Sequence, residues 1–259
     1  MTAKRAIDLS ALDRAGAVLR EAGRRGALAG QAQPDGSRPP PLKLLLAELS
    51  ALPKLFARPE PAEIVRAQHS RPVMLLPGFG AHPARMWPML EALNAAGHRA
   101  QDWGLGFNLG PTPHNFSYLL SRVGKLAREE GELVALVGWS LGGVFAREIA
   151  RMRPHSVAKV ITLGSPFSGD LRSNNGWRAY QMITGHEVHE PPVPCEFAIK
   201  PPVPTIALWS PRDGVVSPRS AAGWPGERDR AIALRCNHLA FPRAPEAIAA
   251  VLAELDRDD

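Results

Sequence analysis

Gly138-Trp139-Ser140-Leu141-Gly142 sets a serine between two glycines, and the residues on either side give that arrangement chemical meaning. Five apolar residues, Leu133 to Val137, run into it and read as a buried parallel strand. Val144 to Ala150, just beyond, read as the start of a packed helix. A serine on such a strand-to-helix turn stands clear of both elements. Its flanking glycines tolerate the strained backbone and let strand and helix pass closely. The chemistry available there is nucleophilic attack. A serine hydroxyl is a poor nucleophile at neutral pH, so a histidine must take its proton and a carboxylate must hold that histidine in the useful tautomer.

Asp213 and His238 lie where those partners are needed. Asp213 sits in Trp209-Ser210-Pro211-Arg212-Asp213-Gly214-Val215-Val216, after an expected strand and before a glycine turn. His238 sits in Cys236-Asn237-His238-Leu239, just beyond the last expected strand. The order serine, acid, histidine is one in which such strand-to-helix serines occur. Attack on a carbonyl also needs two backbone N–H groups aimed at the developing oxyanion. Leu141, directly after the serine, supplies one. Phe79, in the glycine-rich turn Leu75-Leu76-Pro77-Gly78-Phe79-Gly80, supplies the other, with Gly78 and Gly80 allowing close approach to substrate. Trp139 and Phe167 are further candidates for the pocket wall, although Trp139 reads first as core packing.

Other residues compete for these roles. Asp170, in Phe167-Ser168-Gly169-Asp170, is the alternative acid, and Asp102 reads as a strand-end residue near the mouth. His82 and His114 fall in loops at the same face, whereas His155 follows the helix after Ser140, and His69 and His98 read as surface residues. His186 and His189 flank Glu187-Val188, one residue short of the zinc-binding His-Glu-x-x-His spacing, so no metal site is expected.

The elements that must position these groups alternate regularly. Strands are expected at Pro72 to Leu76, Arg99 to Trp103, Leu133 to Val137, Val157 to Leu163, Thr205 to Trp209 and Ala231 to Arg235. Helices are expected at Ala84 to Ala96, Asn115 to Glu130 and Pro245 to Leu255. Such alternation implies a parallel sheet with its site beyond the carboxyl ends of the strands. The long gap between Leu163 and Thr205 reads as a cap or lid insertion over about 165–204, with a short helix near Gly176 to Thr184.

Residues 1–68 read as an extension before a body expected at 69–259. A helix is expected over residues 6–22 and a linker over 26–41, followed by Leu45, Leu49, Leu52 and Phe56 at helical spacing. That apolar face should pack on the body or a second subunit, a membrane surface being the alternative partner. The extension holds 11 Lys/Arg against 7 Asp/Glu, four of the chain's net +6 charges. No aromatic-interleaved basic stripe accompanies them, and no nucleic-acid partner is expected. Apolar runs fall far short of the roughly 20 residues of a membrane span, and the charged opening does not read as a secretory signal. Two cysteines, Cys195 and Cys236, are too few for a disulfide framework, which suits a reducing, cytoplasmic setting.

From Pro72 onward the chain resembles the α/β-hydrolase superfamily, in particular lipase-like serine esterases. The resemblance rests on Pro77-Gly78-Phe79-Gly80, Gly138 to Gly143, Asp213-Gly214-Val215-Val216 and Asn237-His238-Leu239. It implies an α/β fold with a mostly parallel sheet flanked by helices, an acyl-enzyme mechanism on a small-molecule or lipid ester, and no metal or organic cofactor. Thioester or amide cleavage would use the same machinery, and a silent fold kept for binding or scaffolding is the rival from another class. The chain departs from the family at Pro77, where many members have histidine, and in residues 1–68, which have no obvious counterpart.

Overall fold

A computed structural model of the protein describes residues 9–55 and 62–257. Phe56, and residues 6–8 of the first expected helix, lie outside them. Six parallel strands form one sheet: β1 (Pro72–Leu76), β2 (Arg99–Asp102), β3 (Val134–Trp139), β4 (Val157–Leu163), β5 (Thr205–Trp209) and β6 (Arg230–Ala233), in the order β2-β1-β3-β4-β5-β6. Chain direction across the sheet reverses between β1 and β3. The carboxyl ends at such a reversal leave the crevice where ligands bind in open α/β sheets.

The alternating residues of each strand face opposite helical layers. Val73 and Leu75 of β1 join Ala135, Val137, Ile161 and Leu208 in a core covered by α3 (Trp87–Ala96) and α8 (Pro245–Asp256), the short α7 (Pro218–Ala222) lying between β5 and β6 in the chain. Met74 and Leu76 join Leu136, Val160 and Phe145 in a second core, covered by α4 (Pro113–Glu130) and α5 (Leu141–Met152). Both faces are therefore dry, which is why β1 and β3 are buried along their whole lengths. Cys236 packs beside the first core and Cys195 beside the second, and both thiols are free.

Several boundaries differ from expectation. β3 runs on through Gly138 and Trp139, so that Ser140 follows the strand directly. The helix expected from Ala84 splits into a 3-10 turn, Pro83–Met86, and α3, because Pro88 lacks an N–H and fits only a first turn. The first helix, α1 (Leu9–Ala29), continues seven residues past its expected end and absorbs Gly23 and Gly26. Glycine costs about 1 kcal/mol inside a helix, and tertiary contacts offset it. Arg24 Nη1 donates to Gly185 O at 2.7 Å, Arg25 Nη1 to Ile183 O at 2.5 Å, and Leu28 O accepts from Gln181 Nε2 at 2.7 Å. These partners belong to or follow α6 (Trp177–Thr184), so α1 lies on the insertion and its arginines satisfy the carboxyl end of α6.

Helix α2 (Leu42–Ser50) reverses the expected pattern. Leu49 and Leu52 are exposed, as are Leu42 and Leu46, while Glu48 is 1% exposed. Leu45 is half-buried, so this chain's own body covers only part of the expected leucine face, and the residue driven fully inward is a carboxylate with backbone amides to bind. His98 is a second correction: it is buried at 4% exposure, and neither ring nitrogen has a hydrogen-bond partner among the described residues. Burial pushes its pKa down and outweighs the opposing charge of Asp256. Among the described residues no helix is long and apolar enough to cross a membrane.

Candidate active site

Ser140 has φ 53° and ψ −123°, and it is the sole non-glycine residue with positive φ among those described. That conformation costs roughly 1–3 kcal/mol and persists only where the surroundings enforce it. Enforcement comes from both sides of the turn: Ser140 N donates to Leu163 O at 2.8 Å, and Gly143 N donates to Ser140 O at 3.0 Å. The glycines fill a steric requirement. A Cβ on Gly138 would overlap the carbonyl of Gly142, and one on Gly142 would overlap the carbonyl of Leu76, so α5 crosses β1 and β3 at backbone contact.

Asp213 and His238, from the loops after β5 and β6, meet beside this turn. His238 Nδ1 lies 2.7 Å from Asp213 Oδ2, with the two side chains 3% and 0% exposed. The other carboxylate oxygen, Oδ1, accepts from Val215 N at 2.8 Å and Val216 N at 2.7 Å, which fixes the carboxylate plane. A side chain on Gly164, which has φ +57°, would lie 2.9 Å from Asp213 Oδ2 and 3.1 Å from His238 Nδ1. Glycine there leaves the pair undisturbed. Burial opposes the imidazolium, but the charge of Asp213, its hydrogen bond and the charge of Glu48 together raise the His238 pKa above the ordinary 6.5. Asp170, the rival acid, is engaged elsewhere: Oδ1 accepts from Arg172 N at 2.7 Å and lies 3.2 Å from His189 Nε2.

A cavity of about 250 Å³ opens at these groups and is lined by Ser140, His238, Gly78, Phe79, Trp139 and Leu141, among others. Much of its remaining wall comes from the insertion, including Trp177, Tyr180 and Val193, and from Phe116 and Phe145 of the α4/α5 layer. The Phe79 ring packs on Tyr180 with centroids 5.2 Å apart. Trp139 serves as wall and support at once, since its Nε1 donates to His238 O at 3.1 Å. The amides of Phe79 and Leu141 make no hydrogen bond with the described residues and directly follow Gly78 and Ser140 in sequence. Gly78 is tightly placed, because a Cβ would come within 3.2 Å of both Ser140 Cβ and the Trp139 ring.

Two expected pocket residues do not line the cavity. Gly80 turns away to donate to Asn108 O at 2.7 Å. Phe167 is 1% exposed and lies beneath the Arg147 guanidinium, 4.0 Å from its ring centroid. Arg147, on α5, was not singled out by sequence, where it reads as one more helix cation. It is 1% exposed, and burial lowers its pKa to about 10 against the opposing charges of Glu227 and Glu148. It donates to the carbonyls of Phe197 at 3.2 Å and Ile199 at 3.2 Å, while Glu148 accepts from Glu196 N at 2.9 Å. The helix that follows Ser140 thus anchors the returning arm of the insertion. His82 packs edge to face on Phe107, and neither it nor His114 lines the cavity. No group of three or more possible metal ligands occurs among the described residues, including around His186 and His189.

Comparison with known proteins agrees with this architecture. Residues 73–258 match the profile of the Alpha/beta hydrolase family. Two curated relatives are pimeloyl-[acyl-carrier protein] methyl ester esterases. The protein from Aromatoleum aromaticum is 34% identical over 93 residues, covering 36% of this chain and 36% of that protein. The protein from Aliivibrio salmonicida is 30% identical over 108 residues, covering 41% of this chain and 40% of that protein. The chain therefore matches well under half the length of these relatives. Among solved structures, Bacillus licheniformis lipase BlEst2 in its mature form superposes with a TM-score of 0.54 at 16% identity, over 77% of this chain and 96% of that one. The lin2722 product of Listeria innocua superposes with a TM-score of 0.52 at 18% identity, over 74% and 96% of the two chains. At such identities the superpositions speak for the fold alone. The family match spans the whole sheet, from β1 to α8, and this chain belongs to the alpha/beta hydrolase family, a family of hydrolase enzymes.

Proposed function

We propose that the protein is a serine hydrolase that cleaves carboxylic esters of apolar acids through an acyl-enzyme intermediate. The observation that carries this reading is the 2.7 Å contact of buried Asp213 with His238, which lines the same cavity as Ser140. Ser140 Oγ attacks the ester carbonyl carbon while its proton passes to His238 Nε2. Asp213 keeps the other ring proton on Nδ1 and stabilises the imidazolium. The oxyanion is bound by the N–H groups of Leu141 and Phe79. The alcohol departs with the proton from His238, and water then attacks the acyl-serine by the same route in reverse. The esterase relatives support ester cleavage as the reaction. Two free thiols suit a reducing compartment, the cytoplasm.

The cavity bears on the acyl group. Beyond the serine its wall is largely apolar, with Phe116, Val144, Phe145, Trp177 and Val193 among the lining residues. Burying a methylene contributes about 0.8 kcal/mol, close to fourfold in kcat/KM. With nitrophenyl esters of graded chain length, kcat/KM is expected to climb about fourfold per methylene from acetate until the apolar wall is covered, and then to level off. A profile highest at acetate, or still climbing at sixteen carbons, would contradict this reading of the cavity.

A further inference from the structure

The loops that carry Asp213 and His238 are joined by a residue from outside the sheet. Glu48, on α2 of the extension, is buried, and its carboxylate meets three backbone amides. Oε1 accepts from Gly214 N at 3.0 Å and from His238 N, and Oε2 accepts from Leu239 N at 3.0 Å. Gly214 follows Asp213 directly, and the second amide is that of His238 itself. One side chain thus spans the acid loop and the histidine loop. No cation pairs with it among the described residues, so the amides alone satisfy this buried carboxylate.

The approach of α2 to the acid loop is equally close. A Cβ on Gly214 would overlap the carbonyl of Leu44 and lie 2.7 Å from Leu45 N, so glycine is required for the helix backbone to rest there. Asn175 of the insertion donates to Pro40 O at 3.1 Å and to Gly214 O at 2.8 Å, tying the same loop to the segment before α2. We propose that Glu48 is a positioning residue for the Asp213–His238 pair, holding the two loops in register through their backbone amides. The proposal rests on the serine-hydrolase reading of the site.

Its consequence is a kinetic signature that differs from loss of folding. Asp213 and Glu48 are the charged groups that act on His238, while Trp139, Gly164 and Phe241, also packed on it, are uncharged. Replacing Glu48 by glutamine removes one of these charges and turns one acceptor into a donor facing an amide. Misplacement of catalytic groups by about 1 Å costs up to about 100-fold. In the full-length chain, Glu48→Gln is expected to lower kcat for an octanoate ester about 10- to 100-fold, with KM within about twofold. The acidic limb of the kcat/KM profile should move to lower pH, because the imidazolium loses a favourable charge. Glu48→Asp keeps the charge on a shorter arm, so it should lower kcat while holding the midpoint near that of the wild type.

Wild-type kcat and midpoint in either variant, at an unchanged melting temperature, would overturn the proposal. Failure of both variants to fold would also overturn it, by making Glu48 purely structural. Ser140→Ala run alongside separates the two levels. Activity that survives in Ser140→Ala refutes the serine-hydrolase reading whatever the Glu48 variants do. Activity lost in Ser140→Ala but normal in both Glu48 variants refutes only the positioning role.

Discussion

Ser140→Ala is expected to lower kcat for a nitrophenyl ester by about 10⁶-fold, the scale seen when a serine nucleophile is removed, with the melting temperature little changed. The side chain of Ser140 makes no hydrogen bond that caps α5, and the turn is held by backbone bonds and by the glycines around it, so alanine removes chemistry and leaves the fold. Asp213→Asn should fall less far, by about 10⁴-fold, for a reason visible in the geometry. The oxygen that accepts from Val215 and Val216 must remain an oxygen, so the amide nitrogen is turned toward His238 Nδ1. The ring proton is then forced onto Nε2, which can no longer accept a proton from the serine. Steady-state rates with active-site titration check both. Residual activity above about 1% in Ser140→Ala would point to another nucleophile.

Gly142→Ala should damage the fold as well as the reaction. The added Cβ would lie 2.6 Å from the Leu76 carbonyl carbon and 2.7 Å from Pro77 O, against backbone that has no rotamer by which to yield. Overpacking a core typically costs 1–3 kcal/mol, and contact between two main chains should lie at or above the upper end. A loss of about 3 kcal/mol lowers the melting temperature of a domain this size by roughly 10 °C. Relief of the overlap must push α5 away from β1, moving Leu141 relative to Phe79 and with it the proposed oxyanion site. Thermal unfolding and kcat measured together test this: both should drop, and a variant with normal values of both would mean that α5 and β1 do not touch as described.

The sequence was most readable where the signal is local. Gly138 to Gly142 carries its own steric logic, and the alternation of apolar runs with helical segments marks the sheet that brings the Phe79 loop, Ser140, Asp213 and His238 to one edge. Long-range polar contacts leave no such trace. Nothing in Leu42 to Ser50 distinguishes Glu48 from a solvated helix carboxylate, because its partners are amides some 170 to 190 residues away. The leucine spacing of the same helix marks a face that this chain's own body leaves largely uncovered. Arg147 and Glu148 were likewise hidden: a cation followed by a carboxylate on a helix reads as surface, and only the fold shows that both hold the insertion's return arm. His98 was misplaced because one polar residue after a helix-ending glycine reads as surface, whereas the fold buries it.

The central claim, that Ser140 is a nucleophile activated by His238, is tested most directly by reacting the folded protein with a fluorophosphonate and locating the adduct by mass spectrometry. One adduct on Ser140 is expected. The rate should fall as pH drops through a midpoint above 6.5, since only neutral His238 can take the proton and its pKa is raised in the fold. His238→Ala should remove the labelling almost completely. No adduct on Ser140 in folded protein, or labelling of equal speed in His238→Ala, would contradict the account.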